Sequence, residues 1–387
     1  MSENDPDGAG LWDGAEFALA ADRLDTPDVI EAADPADMLR QVASAAAQVR
    51  TALRSCAETD LSAFTPDARP RAIVVAGMGG SGTAGDILGV VCGTGPPIQV
   101  LTLRTGHLPG WVGAADLVFA VSCSGTTSET LAVAMEAARR GCRLVAVGAE
   151  GSPLHRIAEQ ARAPFVRVDQ AGTVLPRQTL WALTVPLLMV VERLGIVQIG
   201  AEVYEQAATR LEEVSHQCRP ASESFVNPGK SLALDLLGGL PMIWGTSPLT
   251  GVVATRFASQ LNENAKYPAI AGILPEVTHN QLGVFDGPFA REVPQFPLRL
   301  VLITDTQPRE QVAPQRGMSR YIATTIGELA SRRGIAMSEL ATEGDQPFLR
   351  LAAVMHLADY ASVYLGIASG IDPGQADVIR DLPARIE

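Results

Sequence analysis

The hydrophobic positions of this chain fall into short β-branched runs separated by longer stretches of helical period. Residues 72–76 (AIVVA), 98–101 (IQVL), 117–121 (LVFAV) and 144–147 (LVAV) are runs of the first kind. Near-continuous apolar strands that alternate with helices predict a parallel sheet covered on both faces. Helical patterns over 178–194 and 202–218 follow, and the stretch from Arg219-Pro220 to Asn227-Pro228-Gly229 interrupts them as a linker. The alternation then restarts with a strand at 240–245 (LPMIWG), a helix over 249–265 and a strand at 298–304 (LRLVLIT). Helices over 317–333 and 347–367 and a short terminal helix close the chain.

The predicted fold class is α/β, with two tandem doubly wound domains on parallel-sheet cores and no readable sequence repeat between them. The expected boundaries are an acidic N-terminal tail over 1–35, a first domain over 36–219, a second over 229–373 and a C-terminal helix over 374–387. Asp34-Pro35 reads as the opening of a helix that runs to residue 55.

Two loops carry the first chemical signal. Gly77-Met78-Gly79-Gly80-Ser81-Gly82 follows the first strand, and Ser122-Cys123-Ser124-Gly125-Thr126-Thr127 follows the third, each opening a helix. Backbone N–H groups and hydroxyls at such turns suit a phosphate. For one loop alone, helix capping explains the residues equally well. Two loops in one open sheet favour binding, because ligands there sit beyond the carboxyl ends of strands. The first loop also matches a dinucleotide fingerprint, but the second strand ends in Leu103-Arg104 where an acidic residue is wanted. Arg104 leaves only a reading with a 2′-phosphorylated nucleotide, and hence an NADP-dependent reductase.

The second signal is an acid/base pair. Glu263, in Gln260-Leu261-Asn262-Glu263-Asn264-Ala265-Lys266, and His279, in Pro275-Glu276-Val277-Thr278-His279-Asn280, lie in one short region. Aldose–ketose isomerisation needs a base beside a carbon acid, a cation for the developing enediolate oxygen and a donor that opens the sugar ring. Glu263, Arg177 and His279 have the chemistry for those roles. Arg256 shares a helix face with Glu263 if that helix is continuous, and otherwise reads as a paired helix charge. His107 and His155 read as surface or capping residues, and His356, on an apolar helix, as a hydrogen-bonded core histidine.

Composition narrows the partners. The 387 residues carry 30 Lys+Arg against 43 Asp+Glu, a formal net charge of −13, which disfavours nucleic acid and anionic membranes. A sugar phosphate stays compatible through helix N-termini and local arginines. Five scattered cysteines without a C-x-x-C pair indicate neither a disulfide framework nor a zinc site and fit a reducing cytoplasm. The N-terminus shows no signal-peptide pattern, and the apolar run 180–191, interrupted by Pro186, is too short to span a bilayer.

Taken together, the two loops, Pro176-Arg177, Asn262-Glu263-Asn264-Ala265-Lys266 and Pro275-Glu276-x-x-His279-Asn280 resemble the bifunctional phosphoglucose/phosphomannose isomerases, proteins with two sugar isomerase (SIS) domains. The similarity runs from about residue 70 to about 290 and more weakly to the C-terminus. The resemblance implies a cofactor-free, metal-free enzyme that interconverts glucose 6-phosphate or mannose 6-phosphate with fructose 6-phosphate through a cis-enediol(ate). Gly80, Ser81, Ser122, Ser124 and Thr127 would then hold the substrate phosphate and Arg177 would stabilise the enediolate. Glu263 would move the proton between C1 and C2, and His279 would assist ring opening from the partner subunit of a homodimer. One departure stands out: Pro383 occupies the position of a lysine that the family uses beside its histidine. That replacement sustains an alternative, a regulatory protein that binds a sugar phosphate with weakened or lost catalysis.

Overall fold

The computed structural model describes residues 14–93, 98–169, 175–290, 297–306 and 314–381. Four helices come first: α1 (Gly14–Asp25), α2 (Pro27–Ala33), α3 (Met38–Ala43) and α4 (Ala45–Glu58). A strand–helix alternation follows with β1 (Ala72–Ala76), α5 (Gly80–Cys92), β2 (Gln99–Leu103), β3 (Leu117–Ser122), α6 (Ser128–Arg139), β4 (Arg143–Gly148), α7 (Pro153–Ala161) and β5 (Phe165–Arg167). Helices α8 (Leu180–Arg193), α9 (Gly200–Gln217) and α10 (Pro228–Leu236) lead to a second alternation. It comprises β6 (Leu240–Gly245), α11 (Pro248–Gln260), β7 (Ile270–Ile273), β8 (Leu298–Thr304), α12 (Pro314–Arg332), β9 (Ala336–Ala341), α13 (Pro347–Ala368) and α14 (Asp377–Asp381).

All strands pair in parallel. The first sheet has the order β2-β1-β3-β4-β5 and the second β7-β6-β8-β9. Strands β1 and β3 are buried at every position, which is why they read as unbroken apolar runs. In each sheet the chain lays its second strand on one side of the first and its third strand on the other. That reversal makes a switch point between β1 and β3, and another between β6 and β8.

The chain divides into two compact units. The first-sheet unit comprises Ala43–Glu212 with Gln346–Leu349, and the second-sheet unit comprises Met1–Val42, Glu213–Asp345 and Arg350–Glu387. The Pro-containing stretch 219–229, read from sequence as the linker, lies inside the second-sheet unit, and the division falls within α9 instead. Continuous helical periodicity over 202–218 hides that division from the sequence.

The expected N-terminal tail is also different where it is described. Residues 14–33 form α1 and α2 and bury Ala20, Leu24 and Ile30. Their anchor is Lys230, a fully buried cation whose Nζ donates to the carbonyls of Leu24, Pro220 (2.8 Å) and Ser222 (2.6 Å), with Asp25 at 3.8 Å. Three acceptors and a carboxylate are what a buried ammonium needs to offset lost hydration. Asp34, expected as the N-cap of a helix running from Pro35 to residue 55, is instead the C-cap residue of α2; its carboxylate accepts from the N–H groups of Met38 and Leu39, and the expected helix begins only at Met38 and is split into α3 and α4.

Helix α13 is long and apolar enough to cross a membrane by composition, a candidate the sequence reading passed over. Its most apolar window is 89 % buried within the protein, as for a core helix. It also carries polar residues that make bonds inside the protein. Asp359 pairs bidentately with Arg256 of α11 at 2.9 Å for both bonds, and His356 bonds Ser215 at 2.8 Å. Arg256 is therefore a paired structural charge, and His356 the hydrogen-bonded core histidine expected. All five cysteines are buried free thiols. Burial pushes Cys56, Cys92 and Cys218 up to about 12.

Candidate active site

The two Gly/Ser/Thr loops emerge from neighbouring strands of the first sheet, at the carboxyl ends of β1 and β3. The first turns sharply into α5. At Gly77 an added Cβ would lie 2.8 Å from the Ser81 backbone, so only glycine lets the chain fold back this tightly. Ser81 is buried in the first turn of α5, whose N-cap, Gly79, has no side chain with which to cap. The first N–H groups of that helix thus take no side-chain acceptor from the cap, and those of Ser81 and Gly82 donate to the Met78 carbonyl at 3.0 Å and 3.4 Å.

The second loop is held from within. Ser122 Oγ lies 2.9 Å from Thr127 Oγ1 and accepts from the Gly125 N–H at 3.0 Å, while Ser124 Oγ lies 2.8 Å from Thr126 Oγ1. Gly125 adopts φ +66°, and a Cβ there would strike Ser152 at 2.1 Å. Thr127 occupies the N-cap of α6 but makes no side-chain cap bond, because its hydroxyl is turned toward Ser122. By contrast, Ser152 before α7 and Ser247 before α11 do cap their helices. Capping therefore does not account for Thr127. Glu129, in the first turn of α6, is held below the usual range by its own backbone N–H and by the Ser128 hydroxyl.

Arg177 reaches the same end of the sheet by a short 3-10 turn, Pro176–Gln178. The Pro176 carbonyl lies within van der Waals contact of a Cβ built on Gly80, so the turn packs against the start of α5. Thr179 Oγ1 donates to the Pro176 carbonyl at 2.7 Å and Gln48 Nε2 to that of Gln178 at 2.7 Å, fixing the turn. The structure thus gathers Gly80, Ser81, Ser122, Ser124, Thr127 and Arg177 around one switch point of one unit. Arg104, the candidate for a nucleotide 2′-phosphate, instead pairs with Asp86 of α5.

Glu263 and His279 belong to the second-sheet unit. Helix α11 does not continue to residue 265 as an α-helix; it ends at Gln260 and passes into a single π-turn, Leu261–Ala265, that carries Glu263. Such turns cluster at functional sites because they re-aim one side chain out of helical register. The turn is clamped. Asn264 Nδ2 donates to Ser362 Oγ at 2.9 Å, a Cβ on Gly366 would meet the Asn264 carbonyl at 2.8 Å, and Lys266 closes it with φ +55°. Asn264 and Lys266 are thereby explained as the frame of a half-buried carboxylate, a signal that residue type alone could not convey.

His279 ends a 3-10 turn, Glu276–His279, and is exposed. Its neighbour Gln281 accepts from Trp244 Nε1 at 2.6 Å and donates to the Ala271 carbonyl at 3.1 Å, tying the turn to β6 and β7. Topology separates it from Glu263. Helix α11 starts at the carboxyl end of β6 and returns along the sheet, about 20 Å for its 13 residues, before Glu263 appears. Strand β7 then runs back in the direction of β6, and only after it comes His279. Glu263 and His279 therefore lie at opposite strand ends of the same sheet, Glu263 on the amino-terminal side and His279 beyond the carboxyl end of β7. The two residues that lie close in sequence are thus held apart by the α11–β7 connection within one chain. Pro383, the position of the absent lysine, lies outside the described residues. Among the described residues no group of three or more His, Cys, Asp or Glu is arranged to hold a metal ion.

Comparison with known proteins agrees with this architecture. Residues 225–386 match the bacterial phospho-glucose isomerase C-terminal SIS domain family. Over 321 residues the chain is 27 % identical to the bifunctional phosphoglucose/phosphomannose isomerase of Caldicellulosiruptor bescii, covering 81 % of this chain and 90 % of that protein. The protein of the same name from Aquifex aeolicus is 29 % identical over 306 residues, covering 78 % and 86 %. Among solved structures, a glucose-6-phosphate isomerase from Chlamydia trachomatis superposes with a TM-score of 0.68 at 15 % identity, over 96 % of this chain and 85 % of that one, a likeness of fold. With its two parallel sheets of the SIS type, the chain is a homologue of the bifunctional phosphoglucose/phosphomannose isomerases.

Proposed function

We propose that this protein is a phosphosugar isomerase that interconverts glucose 6-phosphate or mannose 6-phosphate with fructose 6-phosphate. The observation that carries the reading is the convergence of two phosphate-type loops and the Arg177 turn at the β1/β3 switch point. Hydroxyls of Ser81, Ser122, Ser124 and Thr127 and the N–H group of Gly80 replace water around the substrate phosphate. Arg177, always charged, stabilises the enediolate oxygen as it develops. Glu263 takes the proton from one carbon and returns it to the next, so no cofactor or metal is consumed. His279 protonates the ring oxygen. Because Glu263 and His279 lie at opposite strand ends of one sheet, His279 serves the site of a second copy, and the working enzyme is a homodimer. Buried free thiols suit a reducing cytoplasm.

A coupled assay that follows glucose 6-phosphate and mannose 6-phosphate formed from fructose 6-phosphate tests this reading. Glu263→Gln should lower turnover by about 10²–10⁴-fold, the usual contribution of a general base, with fructose 6-phosphate affinity retained. Parent-like turnover in that variant would remove Glu263 from the reaction. A second reading, favoured by Pro383, is a regulatory sugar-phosphate-binding protein. It predicts that the parent itself binds fructose 6-phosphate in calorimetry and turns none over.

A further inference from the structure

The switch point of the second sheet, between β6 and β8, is built of polar groups but is filled from within. Asp305 directly follows β8. Its Oδ2 accepts from Ser247 Oγ at 2.7 Å, its Oδ1 lies 3.4 Å from Thr342 Oγ1, and its N–H donates to Thr246 Oγ1 at 3.0 Å. Opposite stands Arg350, in the first turn of α13 and 2 % exposed, with Nε 3.0 Å from Asp305 Oδ1. That approach is off-line for a hydrogen bond, so the buried Nε proton has no acceptor. Burying a guanidinium without saturating its donors is costly. The arrangement persists because an anionic oxygen sits in front of it.

These groups stand at the place in the second sheet that the Ser/Thr loops occupy in the first. Both places lie beyond neighbouring strands where the strand order reverses. Two hydroxyls, those of Ser247 and Thr342, and one arginine meet the carboxylate in the second sheet, the donor chemistry suited to an oxyanion. The helix N-terminus is closed there too, since Ser247 and Thr250 form a capping box.

We propose that Asp305 is a resident stand-in for a bound oxyanion: the second sheet retains an oxyanion site of the phosphate class and blocks it with its own carboxylate. Each chain then offers an external phosphate the first-sheet site alone. The inference concerns groups of the second-sheet unit only and is independent of the roles assigned to the first-sheet loops.

The test is Asp305→Ala, with Asp305→Ala/Arg350→Met as the control, titrated with inorganic phosphate by calorimetry and followed by thermal unfolding in phosphate and in formate. Asp305→Ala should bind one more phosphate per chain than the parent. Its melting temperature, lowered in oxyanion-free buffer, should rise with phosphate or formate more steeply than that of the parent, and the double variant should lose both effects. An Asp305→Ala protein with no additional phosphate and no steeper rise overturns the proposal, as does one that fails to fold even in phosphate. If the parent binds no phosphate and Asp305→Ala binds one, this inference stands while the isomerase reading falls.

Discussion

Lys266 donates from Nζ to the carbonyl oxygen of Glu263 at 2.9 Å and to that of Asp372 at 3.1 Å. One of only two lysines in the chain thereby ties the turn bearing the proposed base to the segment that follows α13. The ammonium contacts backbone, so its effect on chemistry runs through the position of the carboxylate.

Lys266→Met should therefore lower kcat more than it changes KM. Misplacing a catalytic group by about 1 Å costs on the order of 10²-fold, so a loss of about ten- to a hundredfold is expected. Steady-state kinetics on fructose 6-phosphate checks this, and an unchanged kcat would show that the clamp is dispensable.

Ser124 is exposed and bonds only within its own loop among the contacts described, whereas Ser122 is buried and also holds Gly125. Ser124→Ala should weaken fructose 6-phosphate and inorganic phosphate alike by about 1.5–3 kcal/mol, or roughly ten- to a hundredfold. Melting in ligand-free buffer should stay close to that of the parent. A large melting loss with unchanged phosphate affinity would assign the hydroxyl to the turn and not to a ligand.

His356 predicts a pH dependence of stability. Burial, and then the nearby Arg256, hold its imidazole down at about 3. Around it stand Ser215 of α9, Arg256 of α11, and Asp359 and Tyr360 of α13. Because the folded value lies below the unfolded value of about 6.5, the unfolded chain takes the proton first. The stabilising contribution is complete above about pH 6.5 and is lost toward pH 3, by up to about 1.4 kcal/mol per pH unit. His356→Gln keeps a partner for Ser215 without this titration. Urea unfolding of both proteins at pH 7.5 and pH 5 should show the parent losing more; equal losses would mean that another group governs acid sensitivity.

Four of the five strands of the first sheet were legible because their runs are mainly apolar, and its loops carry residues whose chemistry survives out of context. Strands β5, of three residues, β7 and β9 were not read from sequence. β7 has four residues, and β9 (Ala336–Ala341) is an edge strand with mostly exposed side chains and no apolar face to announce it. The loop residues and Arg177 were readable as a group, and the structure collects them in one unit. The π-turn was hidden because 249–265 keeps a plausible helical pattern, and its break at Gln260 depends on Ser362 and Gly366, about a hundred residues away. The buried Lys230 was equally silent, since its acceptors are backbone carbonyls, which every residue has.

The separation of Glu263 and His279 across one sheet has a genetic counterpart. If each active centre borrows its histidine, a Glu263→Gln chain and a His279→Ala chain carry lesions that fall in the same centre of a mixed dimer. One centre collects both defects and the other collects none. Unfolding and refolding the two inactive proteins together should then restore about a quarter of parent activity per centre, the share left by random pairing of two chains. Neither protein refolded alone should regain any, and a mixture that stays inactive would return both residues to a single chain.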